Sequence, residues 1–107
     1  MNFIARVVRG NTTTQGNSSQ SVGVGGLENV EAENKVDAFV KLYRKLSQND
    51  HDVTIIKLPN SQTLTEDEIR EVEKQGISVK NGMPKSGFQI EFIVEEEEFQ
   101  KKYAHMF

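Results

Sequence analysis

Thr65 and Glu68 stand at the spacing of a capping box, and Gly76 lies where a short helix begun there would stop. In such a box each side chain satisfies the other residue's free backbone N–H, so local chemistry fixes where the helix starts. Leu64 and Ile69 sit at staple spacing. Gly76 suits the left-handed position past the last turn, and Ile77 beyond it would touch Val72, the apolar contact of a Schellman stop. The reading is a helix over Glu66 to Gln75. Before it, Asp52 to Leu58 carries Val53, Ile55, Ile56 and Leu58, a β-branched run broken by Pro59-Asn60. After it, Ile77 to Lys80 reads as a short strand. Val53 to Lys80 therefore fits a βαβ crossover, which would be right-handed.

The remaining elements extend that frame. Phe3 to Val8 reads as a first strand, apolar on both faces until Arg9. From about Glu31 to Gln48, Val36, Phe39, Val40, Tyr43 and Leu46 recur at helical spacing, with acids early and bases late to complement the helix dipole. Asn81-Gly82 favours a hairpin turn. In Phe88 to Val94, Phe88, Ile90, Phe92 and Val94 alternate with Gln89, Glu91 and Ile93, which predicts a half-buried strand with one apolar face. Glu95 to Phe107 reads as a final helix, with Glu97–Lys101 and Glu98–Lys102 in the favourable i,i+4 order. Together these give an α+β fold, a small mixed β-sheet covered by two or three helices.

The long interval without charge is Gly10 to Gly26, seventeen residues with five glycines among Asn, Thr, Gln and Ser. It is expected as a flexible polar loop at about 10–26, with Ser21 to Leu27 able to pair back as a glycine-rich strand. The 107 residues are expected to form one domain. No stretch approaches the roughly 20 apolar residues of a membrane span, and the N-terminus carries no signal-like apolar run, so a soluble cytoplasmic protein without membrane contact is expected.

Inventory narrows the chemistry. The chain has no cysteine, which removes disulfides, thiolate nucleophiles and cysteine metal sites. Gly23, Gly25 and Gly26 suggest a phosphate loop, but Glu28 stands where a dinucleotide fingerprint needs glycine and no Lys-Ser or Lys-Thr follows. His51 lies between Asp50 and Asp52, a spacing that does not bring side chains to one metal. No nucleophile elbow surrounds a serine. No cofactor and no catalytic set is expected.

What remains is surface. Formal net charge is −3, yet residues 1–26 carry only Arg6 and Arg9 while each later segment is acidic. Glu95, Glu96, Glu97 and Glu98 with Phe99 and Tyr103, together with the acidic helix that carries Glu66, Asp67, Glu68, Glu71 and Glu73, form a candidate acidic and aromatic protein interface. Phe99, Tyr103, Met106 and Phe107 share one face, which either folds back to complete the core or docks on a partner or a second copy. Arg6, Arg9, Lys41, Arg44 and Lys45 form the candidate nucleic-acid surface, with a solvated helix face as the plainer account of the last three. The first expectation is a small non-enzymatic protein-binding or regulatory accessory protein, bound to another protein or to itself as a homodimer. A nucleic-acid-binding accessory protein is the alternative. The lysine-, asparagine- and glutamate-rich composition resembles accessory proteins of low-GC bacteria and their phages or plasmids, a likeness that rests on no motif.

Overall fold

The computed structural model of the chain describes residues 1–15, 18–48, 51–55, 57–58, 61–82, 84, 86–102 and 104. Strands β1 (Asn2–Gln15) and β2 (Ser18–Glu31) run antiparallel, in continuous register from Asn2 opposite Glu31 to Gln15 opposite Ser18. The interval expected as a loop is therefore paired strand over its described residues, and the first strand runs well past Val8. A backbone ladder needs neither charge nor apolar side chains to propagate. Phe3, Ala5 and Val7 anchor the register in the core, and the polar residues continue it. The expected pairing of Ser21 to Leu27 is part of this longer ladder.

Helix α1 (Lys35–Leu46) starts later than the apolar stripe suggested, because Glu31 still belongs to β2 and Asn34 is the N-cap. Asn34 is extended, and its Oδ1 accepts the Asp37 N–H at 2.8 Å. Phe39, Val40 and Leu46 of the stripe are buried, joined by Ala38 and Leu42, while Val36 and Tyr43 pack half-buried at its edges. Strand β3 (Asp52–Ile55) follows, and β4 (Lys57–Leu58) pairs with β5 (Ser61–Gln62) in a two-stranded ribbon, with Ile56 between β3 and β4 outside the described residues.

Helix α2 (Glu66–Glu73) carries the complete capping box. Thr65 N–H donates to Glu68 Oε1 at 2.8 Å, and Glu68 N–H donates to Thr65 Oγ1 at 3.2 Å. Gly76 adopts φ 87° and its N–H donates to the Glu73 carbonyl, closing the helix as expected. The strand expected over Ile77 to Lys80 is reduced to β6 (Lys80–Asn81), which pairs parallel with β3. Among the described residues Asn81-Gly82 does not join β6 to β7 as a hairpin, since β3 lies between them. The Gly82 N–H is drawn to the Ile55 carbonyl of β3, at φ 114°, and Gln89 Nε2 donates to the Gly82 carbonyl at 2.9 Å.

Strand β7 (Ser86–Glu95) lies between β1, antiparallel, and β3, parallel, giving a mixed five-stranded sheet in the order β2-β1-β7-β3-β6. Its regular alternation conceals a β-bulge. Arg6 opposes Phe92 but Val7 opposes Ile90, so Glu91 is the extra residue. One inserted residue exchanges the faces of everything beyond it. Phe88, Ile90 and Ile93 consequently face the larger core with α1 and α2, while Phe92 and Val94 turn to the opposite face. The single apolar face expected for this strand is in fact two. Helix α3 (Glu96–Lys102) covers the second face by packing Phe99 on Ile4, Phe92 and Val94. Full burial of such side chains stabilises by roughly 1.5–3 kcal/mol each. The architecture is α+β.

Candidate functional site

Three shallow clefts adjoin at the end of the sheet where β7 passes into α3. One, of about 330 Å³, is lined by Met1, Asn2, Glu95, Glu96 and Glu97. The second, about 240 Å³, shares Met1 and Glu95 with it and adds Glu98 and the Glu33-Asn34-Lys35 approach to α1. The third, about 400 Å³, shares that approach and runs between α1 and α2, past Asp37, Glu68, Glu71 and Gln75. Shared walls make them one continuous surface, with Lys35 the one basic side chain of its lining among the described residues.

The acids on this surface divide by what they already do. Asp37 Oδ2 accepts the Glu33 N–H at 3.1 Å and lies 3.4 Å from Lys41 Nζ. The backbone hydrogen bond first, then Lys41, hold its carboxyl below the ordinary 3.8 against the opposing effect of desolvation. Glu68 belongs to the capping box of α2, and Glu71 lies 3.1 Å from Lys74. Glu97 lies 3.6 Å from Lys101 and Glu98 3.2 Å from Lys102. Glu33, Glu95 and Glu96 have no cationic partner among the described residues and are exposed to solvent. Their charge is available to a partner.

Glu95, Glu96, Glu97 and Glu98 lie together where β7 passes into α3, with no exposed aromatic side chain beside them among the described residues. Phe99 is 7% exposed, its ring 6.4 Å from that of Phe92, so the fold withdraws it into the second core. Tyr103, Met106 and Phe107 lie outside the described residues. Glu33 and Met1 were not anticipated. Each sits in its own segment, and only the packing of α1 against α2 and β7 pools them. The available signal was the habit of placing acids in a helix's first turn, which puts carboxylates together wherever helix starts meet.

Arg6 stands apart from the other basic candidates, whereas Arg9 borders a cleft with Leu46 and with Glu28, the residue that pairs with Lys45. Arg6 and Arg9 are three apart on one strand and so project from opposite faces. Arg6 reaches Glu91 at 3.7 Å on the α3 side, whereas the Arg9 guanidinium lies 5.9 Å from the Phe88 ring centroid on the α1 side. Lys41 is held by Asp37 and by the Glu31 carbonyl at 3.1 Å, and Lys45 by Glu28 at 2.9 Å. Arg44 is exposed and has no acidic partner among the described residues.

The other residues singled out have structural settings. Gly23, Gly25 and Gly26 lie in β2, away from any helix start, and a Cβ on Gly25 would strike the Arg6 guanidinium. His51 meets the Phe88 ring edge-on at 5.4 Å, and Asp52 pairs with Lys80 at 3.3 Å. Among the described residues no three His, Asp or Glu side chains are grouped to hold a metal, and no helix is long and apolar enough to cross a membrane. No family model, curated protein or solved structure matches the chain.

Proposed function

We propose that this chain is a non-enzymatic protein-binding module whose acidic end docks a basic surface of a partner protein. The observation that carries the reading is the continuous surface around Met1, on which Glu33, Glu95 and Glu96 stand exposed without a cationic partner among the described residues. Met1 is 60% exposed at its centre and supplies an adaptable apolar contact inside an anionic rim. The other carboxylates there are occupied in capping and ion pairing, which favours binding over acid–base chemistry. A regulatory, accessory role in the cytoplasm, of the kind found in phages and mobile elements, belongs to the same proposal.

Exposed charges of this sort guide encounter and set specificity more than they add affinity, so the interaction weakens as salt rises. The experiment is retention of proteins from nuclease-treated host lysate on the immobilised chain and on a Glu33→Lys/Glu95→Lys/Glu96→Lys variant. A salt-sensitive partner held by the first and lost from the equally folded second is the expected result. Equal retention by both, or retention of nucleic acid alone, overturns the proposal.

A further inference from the structure

We propose that the free edge of β2 pairs antiparallel with the same edge of a second copy of this chain, with Leu27 on the two-fold axis. β2 ends the sheet order, and its register with β1 is unbroken. Ala32 N–H donates to the Met1 carbonyl at 2.9 Å, which fixes the phase of the ladder. By strict alternation, Glu28 and Val30 then bond to β1, while Gly25, Leu27 and Asn29 direct both N–H and C=O to the open edge. Edge strands are ordinarily guarded by proline, lysine or a bulge. β2 has no proline and no lysine from Ser18 to Glu31 and no bulge toward β1, and Lys41 of α1 reaches the Glu31 carbonyl at the end of this edge, beyond Gly25, Leu27 and Asn29. Leu27 is 41% exposed, an unusual position for a large apolar side chain in this molecule.

Self-complementarity selects the partner and the register. A two-fold axis perpendicular to the sheet keeps each residue opposite one of its own face, so the axis must pass through a residue position. At Leu27 it sets the two leucines against each other, Gly25 against Asn29 and Val30 against Val24. The outward-facing pairs, Leu27 with Leu27 and Gly25 with Asn29 on either side of it, each exchange two main-chain hydrogen bonds, whereas Val30 and Val24 face each other without them. The strand's acids then meet glycines, with Glu28 opposite Gly26 and Glu31 opposite Gly23, and no like charges face each other. Moving the axis one residue to Glu28 would stack glutamate on glutamate. Moving it to Gly26 would set Leu27 against Gly25 and leave the two leucines apart. This edge is separate from the acidic clefts, and the inference does not depend on the function proposed for them.

Sedimentation velocity of the full chain over a concentration series is expected to show a monomer–dimer equilibrium. Leu27→Lys places two ammonium groups on the axis and is expected to weaken dimerisation by at least about tenfold, with the circular dichroism spectrum unchanged. A second variant tests the register. The chain has no cysteine, so Leu27→Cys introduces a lone thiol. A pair across the axis, with Cα atoms about 5.5 Å apart, lies within disulfide reach. Asn29→Cys, four residues out of step with its own copy, would be separated by more than about 10 Å. Air oxidation is expected to cross-link L27C at least ~10 times faster than N29C. A chain monomeric at every concentration, a dimer indifferent to Leu27→Lys, equal oxidation of the two thiols, or capture of a foreign extended peptide by a monomeric chain would each overturn the proposal.

Discussion

Thr63 Oγ1 lies 3.0 Å from the carbonyl oxygen of Glu91, the extra residue of the β7 bulge, and 3.3 Å from that of Ile90. A bulge interrupts the ladder and leaves carbonyls in need of a donor. Thr63 arrives from the segment before α2 and is 1% exposed, so its hydroxyl is placed to supply that donor where water is excluded. Through this contact the crossover segment holds the bulge, and the bulge in turn gives the sheet two apolar faces.

Thr63→Val keeps the shape and removes the hydroxyl. It is expected to cost about 1–3 kcal/mol in urea or guanidinium unfolding, the range for leaving a buried acceptor unsatisfied. Thr63→Ser, which retains the oxygen, should cost less than Thr63→Val.

Thr54 presents the opposite case. Its Oγ1 is buried in β3 without a hydrogen-bond partner among the described residues. Thr54→Val replaces that hydroxyl with a methyl group of similar size and is expected to stabilise the chain by about 1 kcal/mol. Equilibrium unfolding of the two proteins side by side checks the sign.

Gly87 and Gly25 separate hard from soft obstruction. A Cβ on Gly87 would overlap the backbone of Asp52, its partner across the parallel β3–β7 pair. Gly87→Ala must force the strands apart and is expected to cost at least about 2 kcal/mol. A Cβ on Gly25 meets only the end of the Arg6 side chain, which can swing aside. Gly25→Ala should therefore lower the melting temperature far less than Gly87→Ala.

Asp37 gives the fold an acid-sensitive contribution. Its carboxyl is held below 3.8 in the folded chain by the Glu33 N–H and Lys41. A lowered folded-state value means the stabilisation is complete above 3.8 and is lost as pH falls through that lowered value. Stability measured from neutral pH downward should thus decline less below 3.8 in Asp37→Asn than in the parent chain.

The elements legible in the sequence are those specified by neighbours in the chain. Thr65 and Glu68 define the start of α2 at Glu66 because each acts within one helical turn, while the helix ends at Glu73, two residues short of the Gln75 read from Gly76. Asn34 could have been read in the same way as the cap of α1. The bulge at Glu91 was hidden because Phe88, Ile90, Phe92 and Val94 alternate without a break, and only pairing with β1 reveals that the phase changes. The extent of the β1–β2 pair was hidden for a related reason, since threonine, serine and glycine mark loops by habit but do not oppose extended pairing. The opposed directions of Arg6 and Arg9 were legible from strand alternation alone. The gathering of Glu33, Glu95 and Glu96 was not, because it depends on which helix starts the sheet brings together.

The proposed binding role sets the acidic end apart from a merely solvated surface. Titration of the isotopically labelled chain with a ten-residue lysine peptide, followed by amide NMR, addresses this directly. Salt-sensitive shifts are expected, concentrated at Met1 to Phe3, Glu33 to Lys35 and Glu95 to Glu98 and abolished by Glu33→Lys/Glu95→Lys/Glu96→Lys. Shifts spread evenly over all exposed acids, or centred on the outer face of α2 at Glu66, Asp67 and Glu73, would contradict that role.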